Sequence, residues 1–325
     1  MRIIARRDVE NLITMQEVIA LMEEVFAALT EKEAHVPART ALSLYASDNS
    51  ILFMPGYLRK SGGVGMKVVS VFPSNAAKGI PTISAQIMLC DPETGEVTAV
   101  IEGGTITALR TAATTAVATK HLARQDACSL GVFGAGVQAK SQIEAHREVR
   151  NLESIIIYDL DMKKAEALVQ HFQVICGQSC TCSVAASPDE LVVHCDIIVA
   201  ATTSHTPVFN GNLLRKGTHV NAIGSYKPHV REVDDATIRR SRIFVDSYEH
   251  ALKESGDLII PLETGVIEER AILGELGELV LGSKKGRETS DEITFFKSVG
   301  LAVQDIAVAQ RVLEKAARGN LGLVV

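Results

Sequence analysis

No stretch of this sequence approaches the roughly 20 consecutive apolar residues that a membrane-spanning helix needs. The opening segment is broken by charges at Arg6, Arg7, Asp8, Glu10 and Glu17, so no secretory leader is expected and the cytoplasm is the expected location. An excess of basic residues is also missing: 33 Lys and Arg stand against 39 Asp and Glu, for a net charge of −6, and the basic residues are scattered. That excludes the basic stripe of a nucleic-acid-binding surface. Cysteine is sparse and irregularly spaced, at positions 90, 128, 176, 180, 182 and 195, which points to structural thiols rather than a disulfide framework. Cys176, Cys180 and Cys182 cluster, but C-x3-C-x-C lacks the paired C-x2-C spacing of a zinc site, and no metal is expected. Tryptophan is absent, and neither a repeat of fixed period nor a low-complexity tract is visible. What remains is a chain with 46% hydrophobic residues and a mean hydropathy of +0.16, long enough for two cores.

The most informative stretch runs from Ser129 to Asp159. An apolar run, Leu130 to Phe133, leads into Gly134-Ala135-Gly136-Val137-Gln138-Ala139; a helical stretch follows through Val149, and a second apolar run, Ile155 to Tyr158, ends on Asp159. This reads as strand, turn, helix, strand. Gly134 permits the tight turn, Gly136 lets backbone approach a pyrophosphate, and Ala139 allows close helix packing. The helix N-terminus offers free N–H groups and a positive dipole end to the phosphates. A lone G-x-G-x-x-A is weak; set between strand and helix, with an acid at the tip of the next strand, it predicts a dinucleotide site.

Upstream, residues 14 to 32 carry apolar side chains at helical spacing, with Thr14 as N-cap and Glu17 three residues on. After Pro37 come short apolar runs at 51–54, 65–72, 82–90 and 96–101, the last two joined by the turn Asp91 to Gly95. One helix followed by an antiparallel sheet is therefore expected over the first hundred residues. A helix from Thr105 to Arg124 leads into the dinucleotide unit. There the runs 182–184, 196–200, 218–223 and 242–246 read as further parallel strands, with the helix Met162 to Phe172 before them. In an open parallel sheet the carboxyl ends of the strands line the ligand crevice. The tail, Glu292 to Arg318, reads as helical and is expected to return to the first sheet. The expectation is an α/β protein: a Rossmann-type doubly wound parallel sheet (116–299), plus a discontinuous α+β substrate-binding and dimerisation domain with a mostly antiparallel sheet (1–115 with 300–325).

Eight segments, in order, resemble the ornithine cyclodeaminase/μ-crystallin family: PARTAL around Arg39, GMKVVSVFP around Lys67, DPETGEVTAVIEG, TALRTAATTAVA around Arg110, GVFGAGVQA, ATTSHTPVF, NAIGS with a proline four residues after its glycine, and FKSVGLAVQD. They span positions 37 to about 310. The resemblance implies NAD(P)-dependent chemistry on small amino or imino acids, a homodimer whose first domains pair their sheets into a barrel-like interface, and an active site between domains. It implies that Arg39, Lys67 and Arg110 hold the substrate carboxylate, with Lys67 catalytic and Val299 on the substrate side. An arginine fork and a lysine point charge suit a ligand with little apolar area. It further implies cofactor contacts from Ser84, Arg110, Thr111, Gly134, Ala135, Gly136, Val137, Gln138, Thr202, Ile223, Gly224 and Ser298, and from Asp159 to the adenosine ribose. A carboxylate at Asp159 repels a 2′-phosphate, so NAD(H) is expected over NADP(H), although Lys163 and Lys164 nearby leave NADP(H) open. His229, after Pro228, is a candidate proton donor, with a solvent-exposed loop histidine the plainer reading.

The expected reaction is NAD(P)H-dependent reduction of a small cyclic imino acid, Δ1-pyrroline-2-carboxylate or Δ1-piperideine-2-carboxylate, to proline or pipecolate. Alanine dehydrogenase and ornithine cyclodeaminase are alternatives within the family, and a non-catalytic binder of nucleotide and small ligand, like μ-crystallin, is one of another class. Against the cyclodeaminase stands Tyr226, two residues after Gly224, where cyclodeaminases carry an aspartate as general acid/base. A phenol with a reference pKa of about 10 is a poor proton acceptor near neutrality, where aspartate, at about 3.9, is ionised. Asp234 and Asp235 lie further along but read as the start of the next helix.

Overall fold

The computed structural model describes residues 1–44 and 49–325, apart from the side chains of residues 76 and 77. The chain forms two compact units, Met1–Arg110 with Gly300–Val325, and Thr111–Val299. The first crossing thus falls at 110/111, inside the helix Gly103–Leu122, rather than at 115/116.

The first unit contains β1 (Arg2–Ile4), β2 (Ala34–His35), β3 (Thr40–Ser43), β4 (Ser50–Leu58), β5 (Gly63–Val71), β6 (Ile83–Cys90) and β7 (Val97–Glu102). With the C-terminal strand Leu323–Val324 they make one sheet in the order C-terminal strand, β1, β7, β6, β5, β4, β2, with β3 also paired to β4. All pairings are antiparallel except β1 with β7, so the sheet is mixed but mostly antiparallel. The helix Met15–Thr30 begins where expected: Thr14 Oγ1 accepts the Glu17 N–H and the Glu17 carboxylate accepts the Thr14 N–H at 3.0 Å, a reciprocal cap that satisfies two orphan donors. A shorter helix, Arg6–Leu12, has no counterpart in the sequence reading.

The tail departs from expectation. Ile293–Lys297 is a strand, and only Ala302–Arg318 is helical. The strand is buried on both faces, so its apolar run carries no alternation to set it apart from the helical period that follows. Gly300, at φ +78°, makes the break between them. The helix packs on the first sheet through Gly56 of β4, where a Cβ would stand 3.0 to 3.2 Å from Ile306, Val303 and Ala302. Alternation on β4 buries Leu52, Met54 and Leu58 beneath it and turns Tyr57 to the other face.

The second unit adds β8 (Ser129–Phe133), β9 (Ser154–Tyr158), β10 (Thr181–Val184), β11 (Ile197–Ala200), β12 (His219–Ala222), β13 (Ser241–Val245), β14 (Ile272–Glu275) and β15 (Ile293–Lys297). Every pairing is parallel, in the order β10-β9-β8-β11-β12-β15-β13-β14. One face packs Leu130, Val132, Ile155, Ile157, Ile197 and Val199 with Ile143 and Phe172 from the helices Val137–Val149 and Met162–Cys176. The other packs Ile198, Val220, Ile243 and Phe295 with Leu191, Ile238 and Leu258. The sheet is doubly wound, and chain order reverses between β8 and β11, the switch point where such sheets take ligands.

Lys297, at the end of β15, donates to Asp257 Oδ2 at 2.7 Å with both side chains fully buried. Asp257 Oδ1 in turn accepts the N–H groups of Glu232 and Val233 at 2.7 and 3.1 Å. Asp257→Ala strands a buried ammonium and two N–H groups, and is expected to cost about 3–5 kcal/mol, read as a lower urea midpoint; Asp257→Asn, which keeps an acceptor, costs less. A midpoint for Asp257→Ala equal to wild type would contradict this account.

Candidate active site

At the switch point the loops after β8 and β11 nearly touch. A Cβ on Gly134, at φ +96°, would stand 2.6 Å from the Ala201 carbonyl oxygen, so only glycine fits that turn. Gly136 N-caps the helix Val137–Val149 without a side-chain cap bond, and a Cβ there would meet nothing within 4 Å. Open space in front of uncapped N–H groups is what a pyrophosphate requires. Ala139 is fully buried against the sheet. Gln138 Oε1 is buried with no hydrogen-bond partner among the described residues, an acceptor left over for a ligand's hydroxyl or amide. Asp159 accepts the Ala135 N–H at 2.7 Å and the Asp161 N–H at 2.8 Å, which aligns its carboxylate beside the glycine turn. Next to it Leu160 is 92% exposed, and Val137 is 80% exposed. The residues fit a dinucleotide.

The loops after β11 and β12 share one buried carboxylate. Glu232 Oε1 accepts the Thr202 N–H and hydroxyl, both at 2.7 Å, while Oε2 accepts the N–H of Gly224 at 2.5 Å and of Ser225 at 3.2 Å. Burial raises the Glu232 pKa, with buried Lys297 pulling the other way. Thr202 Oγ1 also accepts the Ser204 N–H at 3.1 Å, so its hydroxyl already serves to shape the loop. Gly224 leaves no room for a side chain, since a Cβ would meet the Thr202 carbonyl and both Glu232 oxygens. Ile223, half-buried, continues β12 by donating to the Ala200 carbonyl. Asp246 Oδ2 accepts the Ser298 hydroxyl and the Val299 N–H, each at 2.8 Å, fixing the end of β15.

In the first unit, Lys67 on β5 is 2% exposed and donates to Asp305 Oδ2 at 2.7 Å. Arg110 Nε donates to Asp305 Oδ1 at 3.1 Å and its Nη1 to Gln304 Oε1 at 3.1 Å. Thr107 completes the set, donating to Asp305 Oδ1 at 3.2 Å. Arg39 Nη2 donates to the Gly300 carbonyl at 2.7 Å. A Cβ on Gly300 would collide with the Arg110 guanidinium, so that glycine lets the two arginines approach one stretch of backbone. Arg39, Lys67 and Arg110 are thereby gathered around the N-terminus of the helix Ala302–Arg318, whose dipole adds to their attraction for an anion. Burial pulls the Lys67 ammonium down to about 7, against the opposing pull of Asp305 and with Arg110 and Arg39 adding to the fall. Burial works against ionisation of Asp305 too, but Arg110 and Lys67 outweigh it and its pKa is lowered.

Not every expected residue joins these clusters. Ser84 pairs with Ser70 on β6, and alternation from Lys67 puts both serines on the opposite face of the sheet from Lys67. Thr111 is buried in the helix Gly103–Leu122. His229 is exposed in its loop. Asp234 and Asp235 do begin a helix: Asp234 accepts from Thr237 and Gly211, and Asp235 pairs with Arg231.

Three residues central to these clusters were not singled out from sequence. Asp305 carried a signal, because it sits in the stripe Ala302, Asp305, Ile306, Ala309, where the helical period calls for an apolar side chain. Glu232 and Asp257 carried none, since nothing local marks a carboxylate whose partners lie on other strands.

The Δ1-pyrroline-2-carboxylate reductase of Bacillus thuringiensis subsp. konkukian (strain 97-27) is 41% identical over 323 residues, 99% of this chain and 98% of that protein. The solved structure of Thermococcus litoralis Δ1-pyrroline-2-carboxylate reductase in complex with NADH and L-proline superposes with a TM-score of 0.97 at 44% identity, covering all of both chains. An archaeal alanine dehydrogenase dimer with bound NAD gives 0.94 at 35% identity, covering 100% of this chain and 98% of that one. The pattern of the ornithine cyclodeaminase/mu-crystallin family matches residues 2–320, and this chain belongs to that family.

Proposed function

We propose that the protein reduces Δ1-pyrroline-2-carboxylate to L-proline with NADH. The observation that carries this reading is the buried cluster of Lys67, Arg110 and Asp305 in a chain that superposes on a reductase holding NADH and L-proline. When bound, the dinucleotide supplies the hydride. The chain's own residues bind and orient. Gly134 and Gly136 admit the pyrophosphate, Gln138 offers its free acceptor, and Asp159 turns its carboxylate to the ribose hydroxyls, which favours NADH over NADPH. Glu232 holds Thr202 and Gly224 where the strand ends meet the ligand. Arg39, Lys67 and Arg110 grip the substrate carboxylate, and Asp305 keeps Lys67 and Arg110 in register. Positioning and electrostatics are the protein's share of the catalysis.

This assignment is tested by following NADH and NADPH oxidation against pyrroline-2-carboxylate, piperideine-2-carboxylate, and pyruvate with ammonia, and by assaying NAD⁺ with ornithine for ammonia. The expected order places pyrroline-2-carboxylate with NADH first in kcat/KM and finds no sustained ammonia release, because Tyr226 replaces the acid and both oxygens of Asp234 are engaged. Higher kcat/KM for pyruvate with ammonia would make the protein an alanine dehydrogenase.

Lys67 gives the site a pH dependence. The charged ammonium holds the carboxylate; it predominates below about 7 and is lost above. L-proline keeps its charges near neutrality, so its affinity for the NADH complex should weaken as the medium passes from mildly acid to mildly alkaline. Lys67→Ala should abolish that slope and lower turnover by orders of magnitude while NADH binding persists. A flat wild-type profile would remove Lys67 from carboxylate binding.

The functional unit is a homodimer. The face of the first sheet turned away from the helix Ala302–Arg318 carries Tyr57, 37% exposed, with half-buried Phe53, Met66, Val68 and Met88, an apolar surface that a second copy would cover. Sedimentation at micromolar concentration should give a species of two chains, and Phe53→Glu should shift it towards one; a stable wild-type monomer contradicts the dimer.

A further inference from the structure

The cysteine triplet set aside on spacing alone is brought together by the fold. The sulfurs of Cys176, Cys180 and Cys182 all lie within 4.8 Å of one another. Cys176 is the last residue of the helix Met162–Cys176, Cys180 lies in the following turn, and Cys182 is on β10, the edge strand. The first two thiols are 6% and 5% exposed, and the third is half-buried. The turn is built to hold them. Gly177 takes φ +58°, and the Cys176 carbonyl accepts both the N–H of Ser179 and its hydroxyl, at 3.1 and 2.7 Å, drawing the chain back over the helix end. The Gln173 side chain donates to the Gly177 carbonyl at 2.9 Å and accepts the Cys182 N–H at 3.1 Å, so one amide fixes the turn and the strand together. Among the described residues no fourth His, Cys, Asp or Glu joins the group.

We propose that Cys176, Cys180 and Cys182 form a three-thiolate site for a soft d10 cation, zinc(II) or copper(I). Metal–sulfur bonds of about 2.3 Å put three sulfurs around one ion about 4 Å apart, so the thiols need draw in by less than about 1 Å. Soft thiolates select this class of ion, and the negative end of the helix dipole favours a cation at Cys176. Binding exchanges three thiol protons, released to solvent, for three metal–sulfur bonds. Capture of the ion by thiols therefore acidifies the medium. Cys182 pairs with Ile155 in the first half of β9, whereas Asp159 follows that strand's carboxyl end. The ion therefore clamps the edge strand to its helix at the end of the sheet away from the cofactor crevice.

Reduced, chelator-treated protein is titrated with cadmium(II), followed by thiolate-to-metal charge-transfer absorbance, then with zinc(II) and with copper(I) under argon, each against a competing chromophoric chelator. One equivalent is expected, with a rise in melting temperature and unchanged kcat for the reductase reaction. Whichever of zinc or copper outcompetes its chelator identifies the natural ion. Cys180→Ser should weaken binding by about 100-fold or more. Should that variant fail to fold, alkylation of the wild type decides: the metal should protect Cys182 and leave Cys90 and Cys128, half-buried outside the cluster, reacting as before. Absence of saturable binding, or protection at Cys90 or Cys128 in place of Cys182, overturns the proposal.

Discussion

The dinucleotide unit depends on a problem that every parallel sheet poses at its carboxyl edge. Strands end there with N–H groups that no neighbour satisfies, and a ligand crevice cannot fill them all with its own side chains. Here buried carboxylates take them up. Glu232 gathers four donors from the loops after β11 and β12, and Asp257 secures the backbone of Glu232 and Val233 while its other oxygen holds Lys297. Asp246 does the same for Ser298 and Val299. A neutral side chain has too few acceptor sites for this, which accounts for four-way acceptance by one glutamate despite the cost of burying it. The backbone of these loops is tied to buried acids.

The first unit solves a related problem with opposite charge. Lys67 and Arg110 are buried, and a buried cation without an anion is unstable. Asp305 makes them tolerable and sets their spacing. The pair is weak evidence for stability and strong evidence for a site, because the apolar sheet beneath the C-terminal helix could have been closed more simply by a leucine.

Much of this was legible in the chain because the signals were local. The G-x-G-x-x-A turn, the cap at Thr14 and Glu17, and the hairpin at Asp91 to Gly95 are each specified within a few residues, and the fold has all three. The family resemblance supplied Arg39, Lys67 and Arg110. What escaped is non-local. Glu232 and Asp257 acquire meaning only from loops and a strand end that the fold brings to them, and the strand Ile293–Lys297 reads as helix because burial on both faces erases the alternation that marks a strand. Ser84 rests on the resemblance alone, and it lies on the face of the sheet opposite Lys67. The three cysteines show the converse, a spacing that matches no familiar motif yet closes in space through a turn held by Gln173.

The return of the chain to its first unit constrains the order in which the molecule can be made. β4 and β5 lie beneath the helix Ala302–Arg318, which leaves the ribosome only after the whole of Thr111–Val299. During synthesis the dinucleotide unit has all its strands before the first sheet has the helix Ala302–Arg318, so the contiguous unit can fold on the ribosome while the discontinuous one waits for it. Closing that loop costs little entropy, since the penalty grows only logarithmically with length, but the apolar sheet stays exposed throughout the interval. Nascent-chain protection against aggregation is therefore needed for the unit whose two segments flank Thr111–Val299.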